Sequence, residues 1–185
     1  MSEVKVNLSR YDNSWYYQHN NVLCVIWYFC NLAIMKNGWI PVSSLKVHLL
    51  RFCGAKIGHG VLFKPCVNIK YPWNLEIGDN VWIGENVWID NLTKVRISNN
   101  VCISQGAMLL CGNHNYKKST FDLMVGKITI EDGAWVGAKS IVCPGVTMKS
   151  HSILSVGSVA SSDLDEYCIY KGNPAVKVRE RSIIE

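Results

Sequence analysis

From Ile57 onward, aliphatic residues recur every six positions. Written in sixes the chain reads IGHGVL FKPCVN IKYPWN LE, then IGDNVW IGENVW IDNLTK VR, then ISNNVC ISQGAM LLCGNH. The first residue of nearly every six is aliphatic. The fifth is small or β-branched, as at Val61, Val81, Val101, Ala134 and Ser158. A buried helix face would repeat at i, i+3, i+4 and i+7, and a half-buried strand would alternate over two, so a period of six fits neither. It fits a short strand and a turn, repeated, with three such faces closing one triangular coil of about eighteen residues. Ile57, Ile77 and Ile97 are twenty apart, three sixes plus a two-residue corner insertion. The pattern predicts a mainly β fold, a parallel β-helix solenoid over 57–162. Its aliphatic first positions stack inward, and Gly58, Gly78, Gly84 and Gly137 ease tight turns.

One break interrupts the pattern. The third unit ends at His114, and the phase resumes at Ile130 rather than at 115, fifteen residues late. The insertion, NYKKSTFDLMVGKIT, is expected to leave the solenoid as a loop over 115–129 without structure of its own. Loops of that length inside a compact domain usually lid or build a site. His114 opens it and is the candidate general base, because an imidazole titrates near neutrality and can take a proton from a hydroxyl. His59 and His151 fall at variable positions of intact sixes and are expected in solvent. Cys111, three residues before His114, is read as a wall residue rather than a nucleophile.

The first 56 residues lie outside the repeat and predict an N-terminal helical extension. Its apolar stretch, residues 22–35, is fourteen residues long and contains Asn31, whereas a membrane span needs about twenty. A packing helix over the end of the solenoid is favoured, with at most peripheral membrane contact. Residues 163–185 form an expected C-terminal tail. The net charge of +5 is too modest to require a nucleic-acid partner, and a single anionic cofactor would suffice. With 49% hydrophobic and 18% charged residues the chain is not disordered. Eight cysteines without a leader-like N-terminus or a CxxC pair predict reduced thiols, a cytoplasmic setting and no metal site.

The stretches NLEIGDNVWIGENVWI, CISQGAMLLCGNHNY, IEDGAWVGAKSIVCPGVTM and GNPAVKVR resemble the hexapeptide-repeat acetyltransferases of the maltose and galactoside group, most of all the colanic acid biosynthesis branch. The resemblance implies a left-handed coil, a homotrimer with sites between subunits, and acetyl-CoA as co-substrate. The acceptor would be a saccharide, free or lipid-linked, acetylated on a hydroxyl during surface polysaccharide assembly. It also implies His114 as the base and Asn91 beside it at the acceptor. Trp135, Gly137, Ala138, Val156, Gly157 and Ser161 would lie along the cofactor, with Lys177 and Arg179 toward its phosphates. Two departures stand out. Val176 separates Gly-Asn-Pro-Ala from the cation at Lys177, and Ser161-Ser162-Asp163 replaces the family's Thr-Lys-Asp. Competing readings are transfer to another small hydroxyl or amine acceptor, a metal-dependent, carbonic anhydrase-like hydratase using His59, His114 and His151, and a non-catalytic scaffold.

Overall fold

The computed structural model describes residues 4–16 and 20–184; residues 1–3, 17–19 and 185 of the expected extension and tail lie outside them. The sixes become coils. The first holds β1 (Lys56–Ile57), β2 (Leu62–Phe63) and β3 (Asn68–Ile69), and the second β4 (Leu75–Ile77), β5 (Trp82–Ile83) and β6 (Trp88–Asp90). The third holds β7 (Val95–Ile97), β8 (Cys102–Ile103) and β9 (Met108–Leu110). An excursion follows, built of β10 (Gly112–His114) and β11 (Leu123–Val125). Then come the fourth coil, β12 (Ile128–Ile130), β13 (Trp135–Val136) and β14 (Ile141–Val142), and the fifth, β15 (Thr147–Met148), β16 (Ile153–Leu154) and β17 (Val159–Ala160). A hairpin of β18 (Cys168–Gly172) and β19 (Ala175–Glu180) ends the solenoid.

Stacking produces three parallel walls. The first is β1-β4-β7-β12-β15, the second β2-β5-β8-β13-β16-β18 with β19 at its edge, and the third β3-β6-β9-β14-β17. Register follows the sequence spacing: Ile57 pairs with Ile77, Ile77 with Ile97, and Ile97 with Ile130 across the excursion. The first positions of the sixes are buried from Ile57 to Leu154, as are the fifth positions from Val61 to Ser158 except at Trp73, Thr93 and Asn113, which fall in the third six of a coil. Third positions tie successive coils together by side chain: the backbone N–H of His59 donates to Asp79, that of Asp79 to Asn99, and that of Asn99 to Asp132.

The glycines differ from expectation. Gly58, Gly78, Gly84 and Gly137 do not sit in left-handed turns; a Cβ at Gly84 would lie 2.6 Å from the Gln105 nitrogen of the next coil, so the space is closed by backbone. The left-handed turn falls two residues later, at the fourth position, occupied by Gly60, Asn80, Asn86, Asn100, Gly106, Gly133, Gly145 and Gly157, and also by Cys66, Lys139 and His151. Glycine and asparagine tolerate that region best. His151 is therefore not a solvated variable residue: it is half-buried and stacks on Tyr167 with ring centroids 4.7 Å apart. His59 is exposed.

Asn91 is wholly buried at the corner between the second and third coils. Its Oδ1 accepts the Tyr71 N–H at 3.0 Å and its Nδ2 donates to the Tyr71 carbonyl. Both amide groups are thus consumed by coil closure, and the side chain is not open to an acceptor.

The N-terminal layer consists of α1 (Asn21–Cys30), continued by a wider π-helical turn over Asn31–Met35, and α2 (Ser43–Phe52). The Asn20 side chain caps α1 by accepting the Val22 N–H. Lys46, Val47 and Leu50 of α2 are buried, and α2 lies against β1 and β2, so it covers the open end of the first coil. Lys46 buries its stem and donates Nζ to the Lys64 carbonyl at 2.9 Å; desolvation pushes its pKa down. Trp27 donates Nε1 to Ile69 O at 2.9 Å, while Asn31 bonds the Asn68 side chain and accepts the Ile69 N–H, so α1 covers β3. Only that face of α1 packs; the opposite face is exposed and apolar, which differs from an ordinary packing helix.

The 163–185 segment is no free tail. Leu164 bridges to Met148, and β18 continues the second wall beside β16.

Two outcomes follow. Gly84→Ala should lower unfolding free energy by about 1–3 kcal/mol through backbone overpacking, whereas Gly145→Ala, with nothing within 4 Å of its added Cβ, should lose only about 1–2 kcal/mol from its left-handed φ. Asn91→Ala should lose about 1–3 kcal/mol by stranding the Tyr71 backbone groups. Denaturant titration of each variant measures these values, and an Asn91→Ala protein of unchanged stability would refute the corner role.

Candidate active site

The excursion is a β-hairpin rather than the unstructured loop expected. Gly112 pairs with Val125, Asn113 with Met124 and His114 with Leu123. At its base Gly112 packs closely under Leu92, whose Cδ1 a Cβ there would meet at 2.5 Å. The Asn115 N–H donates to Asp122 O at 2.8 Å, and the Asn115 side chain accepts the Lys117 N–H, which folds the tip back. Lys118 and then Thr120 hold Asp122 as the anion, with its carboxyl pKa lowered.

His114 is half-buried, with its ring fixed from three sides. Phe121 stacks on it almost coplanar, 4.5 Å between centroids and 8° between planes. Tyr11 of the N-terminal segment approaches at 5.8 Å, tilted by 57°. Nδ1 lies 2.9 Å from Phe121 O. A carbonyl only accepts, so Nδ1 carries the proton and Nε2 presents its lone pair. The bond depends on Phe121 adopting φ +54°, a left-handed conformation in which bulky residues are strained. The N-terminal segment is tied to the same hairpin by the Asn7 N–H donating to Ser119 O at 2.8 Å. Tyr16 anchors it further by donating its hydroxyl to the Leu92 carbonyl, and burial pushes the Tyr16 pKa up.

Cys111 is wholly buried, and burial raises its thiol pKa to about 11. A protonated, enclosed thiol is a poor nucleophile.

A second feature lies along the outer face of the second wall and its corner with the third. A groove of about 490 Å³ is lined by Trp135, Gly137, Ala138, Val156 and Arg179, with Ser104 and Gln105 opposite. Trp135 is held by its Nε1 donating to Ser104 Oγ at 2.8 Å. The groove floor is flush because Gly137 has no room for a side chain: a Cβ there would lie 2.6 Å from both Leu154 O and Val156 N. The Ala138 carbonyl accepts the Gly157 N–H, while among the described residues no acceptor is found for the Ala138 N–H. The groove runs on past Arg179 into a recess of about 420 Å³ reached by Arg181, which donates to the carbonyls of Gly133 and His151.

Five of the eight cofactor positions expected from sequence therefore converge. Gly157 flanks them. Ser161 is exposed beyond β17 and lies outside the groove lining, as does Lys177, which faces Glu180 at 3.6 Å. Asn91 is not near an open surface, and Tyr11, Phe121, Ser104 and Gln105 carry no motif that the repeat could expose. Among the described residues no group of three His, Cys, Asp or Glu side chains is placed to hold a metal ion.

His114 and the groove occupy different corners of the triangle. The hairpin leaves between the third and first walls, and the groove opens between the second and third.

No protein-family profile matches the chain. It is 32% identical over 164 residues to the "Putative colanic acid biosynthesis acetyltransferase WcaF" of Escherichia coli K12, covering 88% of this chain and 89% of that protein. The galactoside O-acetyltransferase of the same organism is 27% identical over 71% of this chain and 66% of its own. Among solved structures, a hexapeptide-repeat-containing acetyltransferase of Vibrio cholerae, complexed with acetyl-coenzyme A, superposes with a TM-score of 0.79 at 21% identity, covering 88% of this chain and 89% of that one. A galactoside acetyltransferase in complex with coenzyme A gives 0.68 at 25% identity, over 74% and 70% of the two chains. Repeat, excursion and relatives agree, and the chain belongs to the hexapeptide-repeat acetyltransferases.

Proposed function

We propose that this acetyltransferase moves the acetyl group of acetyl-CoA to a hydroxyl of a saccharide acceptor in surface polysaccharide assembly, working in the cytoplasm as a homotrimer. The observation that carries the chemistry is the His114 Nδ1–Phe121 O contact of 2.9 Å. It leaves Nε2 free to take the hydroxyl proton as the acceptor oxygen attacks the thioester carbonyl. The C–S bond then breaks, and the thiolate recovers the proton from the imidazolium. The Ala138 N–H, without an acceptor among the described residues, is suited to bear the developing oxyanion. Trp135 and the flush Gly137 backbone suit the pantetheine arm, and Arg179 a phosphate.

The separation of base and groove supports a site shared between copies. A stacked coil has no hinge that could swing one corner onto another, so His114 of one protomer would meet the groove of its neighbour. The similarity to WcaF supports a polysaccharide acceptor, and the aromatic pair Tyr11 and Phe121 beside His114 offers faces on which sugar rings commonly stack.

With a panel of acceptors from free sugars to lipid-linked oligosaccharides, His114→Ala should lose about 10²- to 10⁴-fold in turnover, while acetyl-CoA affinity by calorimetry stays unchanged. Cys111→Ala should remain within a few-fold of the parent. Light scattering should return three chains per particle. A His114→Ala protein with near-normal transfer would sink the base assignment, and a fully active monomer would sink the shared site.

A further inference from the structure

The exposed face of α1 is the feature that the chemistry leaves unused. Val22, Val25, Ile26 and Phe29 follow one another at helical spacing on the side opposite Trp27, Asn31 and Met35, and Ile26 and Phe29 are 51% and 62% exposed. No charged residue occurs from Asn13 to Met35. The same layer carries Trp39 at 94% exposure and Phe52 at 90%. A continuous apolar face on an end layer is a contact surface rather than scattered surface hydrophobicity.

Charge selects the occupant. From Asn13 to Leu75 the sequence has six cations, Lys36, Lys46, Arg51, Lys56, Lys64 and Lys70, and no acid. The rest of the chain, thirteen cations against fourteen acids, is nearly neutral. Lys46 is buried against the Lys64 carbonyl, and Lys56 and Lys70 find acids in Glu76 and Asp90, which leaves Lys36, Arg51 and Lys64 as exposed cations of the helical layer and the first coil beneath it, with no acid to offset them. Self-association through such a surface would bring like charges together. An anionic bilayer offers the complement: apolar depth for the helix face and negative headgroups for the exposed, uncompensated cations. α1 with its π-helical extension covers fifteen residues, Asn21 to Met35, about 22 Å of helix, long enough to lie along an interface. Among the described residues no helix is long and apolar enough to cross a membrane.

We propose that the N-terminal helical layer docks on an anionic lipid bilayer, with the Val22–Val25–Ile26–Phe29 face of α1 seated at the boundary between headgroups and acyl chains. The inference stands on this surface alone and does not depend on the acceptor being a sugar.

The test is sedimentation of the full chain with vesicles of phosphatidylcholine alone and of phosphatidylcholine with about one third phosphatidylglycerol. The protein should pellet with the anionic vesicles at low salt, and severalfold less with neutral vesicles or at high salt. An Ile26→Glu/Phe29→Glu variant should bind the anionic vesicles at least about tenfold more weakly, with thermal melting, particle mass and acetyl-CoA affinity unchanged. Protein left in the supernatant with anionic vesicles would overturn the proposal. Equal binding to both vesicle types would overturn its anionic character. A double variant that binds like the parent, or whose oligomer falls apart, would reassign the face, in the latter case to a second copy of the chain.

Discussion

Everything in this molecule depends on how closely one coil sits on the next. Parallel strands stack about 4.8 Å apart, and a wall of two- and three-residue strands can hold that spacing only if the turns between them also stack. Position two of a six therefore loses its side chain wherever the next coil's backbone lies directly above, as at Gly84 and Gly137. Position four takes a left-handed conformation so that the chain turns the corner within the same layer. The aliphatic first and small fifth positions then fill a narrow prism whose width leaves no freedom for anything larger. The six-residue pattern is the imprint of that spacing.

The same constraint explains where the site can be. No residue can be added inside a face without shifting every strand above it, so extra chain must leave at a corner and return to the corner it left. The excursion does so as a hairpin: β9 stays on the third wall, β12 resumes the first wall, and Ile97 still meets Ile130. A hairpin outside the stack is released from the hexad rules and can adopt conformations that the coil forbids. Phe121 uses that freedom, since its positive φ turns its carbonyl toward His114 while its ring supports the imidazole. The rigid stack fixes the foot of the hairpin, and the irregular hairpin fixes the orientation of the His114 ring.

What could be read from sequence divides along the same line. The coils were legible because a period of six over many repeats has a single structural solution, and the break at His114 was visible as a lapse of phase. Trp135, Gly137, Ala138 and Val156, named by resemblance, line one groove because they lie on or just after β13 and β16, which stack in register in this chain. Asn91 was ambiguous: an asparagine at a corner can serve a ligand or the backbone, and its hydrogen bonds to Tyr71, twenty residues earlier, have no mark in the sequence. Tyr11 and Phe121 were invisible for a different reason. Their roles come from one contact across about a hundred residues and one unusual φ, neither of which leaves a pattern in composition or spacing.

The two ends of the solenoid show why so much of the chain lies outside the repeat. A stack of coils exposes its apolar interior at both ends and, along each wall, a row of unpaired edge groups. At the far end β18 and β19 extend the second wall, and the antiparallel turn of the hairpin leaves no parallel edge for another coil to join. At the near end no strand is available, so helices do the work. α2 covers the prism with Val47 and Leu50, and α1 supplies a tryptophan N–H and an asparagine amide to the edge of β3. That explains the polar residue within the most apolar segment of the sequence. Asn31 faces inward beside Trp27 and Met35 because the edge beneath it is polar backbone, and the remaining apolar residues, having no interior left to fill, face out. A helix laid on a sheet edge is thus apolar on both faces, with its one polar contact turned inward, and its outward face is left to whatever apolar surface the protein meets.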